Sequence, residues 1–227
     1  MISSLTCNLS DRAGGKTRTM TTRICLIRHG ETDWNVNRRI QGQMDIPLND
    51  HGRAQADAMS IVACYHQFNG IYSSDLRRAY DTAGMLAERY GLTVRTMQGL
   101  RERHFGLFQG MTAAEAAMRY PEAYAGYKAR DADCNFETGE SLVQFARRAS
   151  DALETLIGRH PGQTLAVVSH AGVLDVVYRK ATGRALQAPR DFSIPNCALN
   201  WFIFDEQGWH LEVWGDQRAG ARMESAE

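Results

Sequence analysis

Thr164-Leu165-Ala166-Val167-Val168 is a short run with no polar alternation, and it stops abruptly at Ser169-His170-Ala171-Gly172. A bounded run of this kind reads as a strand buried on both faces, as in a parallel sheet covered by helices. The same design occurs near the start of the chain, where Arg23-Ile24-Cys25-Leu26-Ile27 ends at Arg28-His29-Gly30. Working outward, strand and helix patterns alternate. Between Gly52 and Phe68, apolar side chains recur at Ala54, Ala58, Ile61, Val62 and Tyr65, a helical face. Gly70-Ile71-Tyr72-Ser73 reads as another strand, and Arg77 to Tyr90 as a helix with Gly91 at its left-handed cap.

Ser141-Leu142-Val143-Gln144 matches a capping box, and Leu142, Phe145, Ala149, Leu153 and Leu156 continue it as a long amphipathic helix. A further helix is expected from Val173 to Ala181. Two strands, Leu199 to Phe204 and Trp209 to Trp214, are joined by Asp205-Glu206-Gln207-Gly208, a hairpin signal. The alternation predicts an α/β fold: a three-layer α/β/α sandwich with a mostly parallel central sheet and a hairpin near one edge. No linker or repeat interrupts residues 23–215, so one domain is expected there. Residues 1–22 read as a poorly ordered extension, rich in Ser, Thr and Gly and without the apolar core of a secretory signal. Met20 is a candidate start, and residues 216–227 read as a tail.

Charge balances at 26 basic against 26 acidic residues, which gives no electrostatic footprint for nucleic acid or an anionic membrane surface. No apolar run approaches the roughly 18 residues of a membrane span. Five cysteines, scattered and without C-x-x-C spacing, read as reduced thiols rather than a disulfide framework or zinc site. A cytoplasmic protein is expected. The hairpin at 199–214 offers an edge on which a second copy could pair as a homodimer.

Both buried strands end in a histidine followed within two residues by glycine. In an open α/β sheet, ligands bind at the carboxyl ends of the strands. A helix starting there offers free N–H groups to an anion, and glycine lets the backbone come close. Either histidine alone could be a polar strand-end residue, but two in equivalent places mark a site.

At this point the chain resembles a family. Arg28-His29-Gly30-Glu31-Thr32-Asp33-Trp34-Asn35 is similar to the opening signature of the histidine phosphatase superfamily, the phosphoglycerate mutase-like group. Further blocks follow in order: Gln41-Gly42 with Asp45, Pro47 and Leu48; Ser73 to Ala79 with Thr82-Ala83; Leu100 to Gly106 with Gln109-Gly110; Gly139-Glu140-Ser141; and Ser169-His170-Ala171-Gly172. The resemblance covers residues 23–215. It implies that His29 is a phosphoryl-accepting nucleophile, that Arg28, Arg78 and His170 hold the phosphoryl group, and that Glu102 is the general acid and base. It also implies substrate contacts at Asn35, Gln41, Gly42, Ala171 and Gly172, with His104 beside the pocket. Arg78 is chosen over Arg77 because it directly precedes the Ala/Thr position, and neighbours about 100° apart on a helix cannot face one site equally.

The residue chemistry agrees. A transferring phosphoryl group spreads its charge over three oxygens and needs donors on all of them. Arginine forks suit those oxygens, and flanking guanidinium charges favour the neutral histidine that can attack. No metal is expected: His51, His66, His160 and His210 lack ligand spacing and read as surface or satisfied histidines. Trp34, Phe105, Phe108 and Met111 read as packing, some of them shaping the pocket mouth. Arg101/Arg103 and Arg147/Arg148 read as solvated charges.

The implied reaction is hydrolysis of a small phosphorylated metabolite. The alternative is a phosphoglycerate mutase primed by 2,3-bisphosphoglycerate, and a more distant one is a non-catalytic phospholigand binder. The short segment at 103–138, with helices expected at Thr112 to Tyr120 and Pro121 to Ala129, resembles the phosphatase branches. At the C-terminus, Asp216-Gln217-Arg218-Ala219 departs from the Asp and His-Leu pattern of relatives.

Overall fold

The computed structural model describes residues 21–217. Its strands are β1 (Thr22–Arg28), β2 (Gly70–Ser73), β3 (Val94–Thr96), β4 (Thr164–Ser169), β5 (Leu199–Asp205) and β6 (Gly208–Asp216). Its helices are α1 (Asp33–Val36), α2 (Asp50–Ala63), α3 (Arg77–Tyr90), α4 (Ala113–Arg119), α5 (Pro121–Lys128), α6 (Leu142–Arg159) and α7 (Ala171–Thr182). The strands form one sheet in the order β3-β2-β4-β1-β5-β6. The four strands from β3 to β1 are parallel, and the antiparallel pair β5-β6 closes the other side. The mostly parallel sandwich with an edge hairpin is therefore present.

The pleat of β1 divides the core. Ile24 and Leu26 face α6 and α7 with Leu165, Val167, Leu153 and Val173. Cys25 and Ile27 face α2 and α3 with Ala166, Val168, Met59 and Leu86. All four β1 side chains are fully buried, which is why the run shows no alternation. Register sets Ile27 beside Val168 and Arg28 beside Ser169, so both chains leave the sheet at one level. His29 N–H then donates to the Ser169 carbonyl at 3.0 Å.

Most expected elements hold. Gly91 caps α3 at φ 62°, and Ser141 and Gln144 form a reciprocal capping box on α6. The short β3, at the sheet edge, leaves no sequence mark because only three residues pair. The face expected for α2 is corrected. Ile61 and Tyr65 are exposed, while Gly52, Ala56, Met59, Ser60 and Ala63 point inward. Small residues allow the close approach made there: a Cβ at Gly52 would run into the Glu31 backbone. The N-terminal extension and the tail lie outside the described residues, apart from Thr21 and Thr22, where β1 begins, and Asp216 and Gln217.

Candidate active site

The carboxyl ends of β1 and β4 and the start of α3 open into a cavity of about 570 Å³. Its inner end is built from four side chains. His29, almost fully buried, places Nδ1 2.7 Å from the Gly30 carbonyl oxygen. A carbonyl oxygen can only accept, so Nδ1 carries the proton and Nε2 is left with its lone pair. Burial, then the charges of Arg78 and Arg28, hold the His29 pKa well below the usual histidine range, so the ring is neutral near pH 7.

His170 is fully buried, its ring centroid 5.2 Å from that of His29. Neither ring nitrogen has a hydrogen-bond partner among the described residues. Burial, then Arg78, lowers its pKa well below the ordinary value too. An unpartnered buried polar group costs about 1–3 kcal/mol, so the inner end is incomplete as it stands.

The arginines are fastened by backbone. Arg78, fully buried, donates to the carbonyls of Gly42 at 2.8 Å and Met44 at 2.7 Å. Burial draws its pKa down to about 10, which still leaves it charged at neutral pH. Arg28 donates to the Ile194 carbonyl at 2.7 Å. The strand end that carries it is held by Cys197, whose N–H donates to the Arg28 carbonyl at 2.9 Å and whose φ is 56°. Burial pushes the Cys197 thiol up to about 12. Arg77 points to solvent beside Asp81, as expected from its spacing.

Glu102 hangs over this group. Its carboxylate accepts from Arg103 N–H at 2.8 Å and from Gly172 N–H, at the start of α7, at 3.0 Å. Gly172 is required by that approach: a Cβ there would collide with Glu102 Oε1 and the Phe145 ring. The negative charge of Glu102 supports both Arg28 and Arg78. Asn35, Gln41, Gly42 and Ala171 also line the cavity. Gly42, at φ 55°, turns the loop that brings its carbonyl to Arg78.

Three expectations are corrected. His104 is absent from the cavity wall. Its Nδ1 accepts from Gly106 N–H at 3.1 Å, and its own N–H donates to Glu140. Arg103 is not solvated but buried, donating to the carbonyls of Glu140 and Cys134 with Phe136 under its guanidinium. Arg148 grips Glu140 through two nitrogens at 2.6 and 2.7 Å and donates to the carbonyls of Gly99, Arg101 and Glu102. It fixes the segment that presents Glu102, a role no local pattern marks. Arg101 pairs with Asp75, while Arg147 is solvated as expected. Trp34 and Phe105 form part of the wall, and Phe108 is packed beneath the two lid helices α4 and α5.

Among the described residues, no group of three or more His, Cys, Asp or Glu side chains could hold a metal ion, and no helix is long and apolar enough to cross a membrane. His66 packs on Trp201, His160 meets Tyr72, and His210 pairs with Asp205.

Two neutral histidines and two clamped guanidiniums gather at the ends of β1 and β4 and the start of α3, a setting whose chemistry suits an anion, with a carboxylate above it. The chain belongs to the histidine phosphatase superfamily, branch 1, whose family model matches residues 24–217. Phosphoglycerate mutase-like protein 4 of Arabidopsis thaliana is 40% identical over 197 residues, covering 85% of this chain and 84% of that protein. The metal-independent phosphoserine phosphatase of the same plant is 38% identical over 204 residues, with coverage of 88% and 84%. The solved structure of a mycobacterial glucosyl-3-phosphoglycerate phosphatase superposes with a TM-score of 0.77 at 33% identity, covering 87% of this chain and 100% of that one. The protein is an enzyme that hydrolyses phosphate monoesters of small metabolites.

Proposed function

We propose that the protein releases phosphate through a phosphohistidine on His29 Nε2, without a metal ion. The observation that carries this reading is the tautomer of His29. With Nδ1 donating to the Gly30 carbonyl and the ring kept neutral, Nε2 is free to attack phosphorus. Arg28, Arg78 and the unpartnered His170 receive the phosphoryl oxygens, which completes the hydrogen bonding that the inner end lacks.

In the first step the Nε2–P bond forms as the ester P–O bond breaks. Glu102 takes up the proton of the monoanionic ester and gives it to the departing alkoxide. In the second, Glu102 takes a proton from water, the water oxygen bonds to phosphorus, and the P–N bond breaks to release inorganic phosphate. Asn35, Gln41, Gly42, Ala171 and Gly172 line the path of the ester. The relative named for metal independence and the residue chemistry both support a reaction with no metal cofactor.

Phosphorus NMR in excess chelator, with 3-phosphoglycerate and a trace of 2,3-bisphosphoglycerate, tests this directly. Inorganic phosphate should accumulate, and His29→Ala should slow its release at least about 10⁴-fold. Appearance of 2-phosphoglycerate ahead of phosphate would instead make the protein a mutase. Wild-type phosphate release by His29→Ala would rule out the covalent route.

A further inference from the structure

We propose that Gln55, on α2, is a positioning residue for the nucleophile: it holds the Gly30–Glu31 peptide, whose carbonyl keeps the proton on His29 Nδ1. The proposal rests on the covalent reading given above and names a group outside the cavity that prepares His29 for it.

The hydrogen bonds run in a chain. Glu31 N–H donates to Gln55 Oε1 at 2.9 Å. A backbone N–H can only donate, so the Gln55 amide must present its oxygen there. The other side of the same peptide unit is the Gly30 carbonyl, whose oxygen lies 2.7 Å from His29 Nδ1. A peptide is planar, with N–H and C=O pointing opposite ways, so an acceptor on the N–H fixes the direction of the C=O. It also strengthens that carbonyl as an acceptor, because hydrogen bonds in a chain polarise one another away from water. A firmer bond at Nδ1–H holds the tautomer and makes Nε2 more basic. Gln55 is absent from the cavity wall, so it acts on the ring only through this peptide.

The start of α2 is built to deliver it. Asn49 caps the helix, accepting from Gly52 N–H at 2.7 Å, while its own N–H donates to the Glu31 carbonyl at 3.0 Å. Gly52 meets the Glu31 backbone so closely that a Cβ would collide with it. Gln55 lies three residues on, along the same face of the helix, and its amide reaches that backbone. The preceding His29–Gly30 peptide is held by other side chains. Its carbonyl accepts from Asn196 Nδ2 at 2.6 Å, and its N–H donates to the hydroxyl of buried Thr82 at 3.0 Å. The Thr82 hydroxyl in turn donates to the Arg78 carbonyl at 2.7 Å. Of the two peptides that follow His29, only the one held by Gln55 carries the carbonyl that meets the ring.

The test removes the acceptor and puts it back. Gln55→Met keeps nearly the same length without an oxygen, Gln55→Leu repeats the removal with a second shape, and Gln55→Glu restores an oxygen acceptor. With p-nitrophenyl phosphate, kcat/KM of the first two should fall about tenfold, the effect of roughly one hydrogen bond, and Gln55→Glu should return to within about threefold of wild type. Affinity for inorganic phosphate, which the arginines hold, should change less than about twofold. Nitrogen NMR of protein labelled at its histidines, with His29 assigned by its loss in His29→Ala, should show the proton on Nδ1 in the wild type. A share of the other tautomer should appear in Gln55→Met and Gln55→Leu. Wild-type kcat/KM or an unchanged tautomer in those two variants would overturn the proposal. So would a phosphate affinity that falls in step with kcat/KM, the mark of a disturbed fold, or a Gln55→Glu variant as slow as Gln55→Met. Wild-type phosphate release by His29→Ala would instead remove the covalent reading, and the tautomer would still decide what Gln55 does.

Discussion

Arg78 and Arg190 line one cavity under opposite conditions. Arg78 is wholly buried at the start of α3, with two carbonyl oxygens holding its guanidinium and the sheet beneath it. Arg190 sits on an exposed connection with nothing fixing its head among the described residues. The same division runs through the site. His29, His170, Arg28 and Arg78 come from strand ends and a helix start, where register places them, while Glu102 stands on the loop that Arg148 fastens. Lys128 and Arg190, which also line the cavity, stand on a lid helix and a loop. A guanidinium that must meet a transition state benefits from being set beforehand, because no reorganisation is then needed during reaction. One that lines only the outer wall needs no such setting. The buried, fastened cations and the exposed, unfastened ones thus lie on different parts of the fold, and loops change more readily than the elements that carry them.

The largest break in this comparison should come from Arg78→Gln. It removes a charge from the inner end and leaves the carbonyls of Gly42 and Met44 short of donors. We expect kcat/KM to fall about 10³-fold with every substrate, together with a lower melting temperature. Loss confined to some substrates would take Arg78 out of the shared inner end and erase the division.

Glu102→Gln should sharpen it. The amide keeps the shape of the side chain but cannot donate and retrieve a proton. Alkyl phosphates should slow about 10²- to 10³-fold, and p-nitrophenyl phosphate, whose leaving group needs no protonation, far less. Equal slowing of both would remove Glu102 from acid catalysis.

A smaller effect concerns acid. His29 and His170 have folded pKa values held well below 6.5, mainly by burial. As pH falls through about 6.5, the unfolded chain takes up two protons that the folded chain refuses. Their contribution to stability is thus complete above that pH and drains away below it, by about 1.4 kcal/mol per pH unit for each histidine. Melting temperatures of the wild type between pH 7 and 5 should fall more steeply than those of a variant carrying both His29→Ala and His170→Gln. Parallel slopes would mean that the inner histidines are not held neutral.

The strand ends are legible in sequence because burial on both faces leaves a plain mark: an apolar run, then a polar group. His29 and His170 follow from that mark, and Arg78 from helical spacing together with the family blocks. Arg103 and Arg148 escape such a reading because sequence gives a charge but not the carbonyl oxygens that converge on it, from residues 134 and 140 for Arg103 and from residues 99, 101 and 102 for Arg148. The inward face of α2 is hidden for a related reason. Small side chains such as Ala56 and Ser60 carry little hydrophobic signal, though they decide how closely two elements approach. His104 stands two positions from Glu102, yet the turn through Gly106 carries it off the wall. Arg190 and Lys128 come to one cavity wall only through the tertiary fold, and nothing local to either announces it.

The thiol of Cys197, directly behind Arg28, has a further meaning. Peroxide attacks thiolates, and phosphatases that use a cysteine nucleophile are exposed to it by their own chemistry. In the proposed route the attacking atom is instead a ring nitrogen of His29. Cys197 and Cys25, both buried, are kept protonated, and Cys64 lies on the surface at the end of α2. Turnover should survive a peroxide dose that oxidises Cys64. A loss restored by dithiothreitol would show instead that a thiol shares in catalysis. With a ring nitrogen as nucleophile, the step itself offers peroxide no thiolate to oxidise.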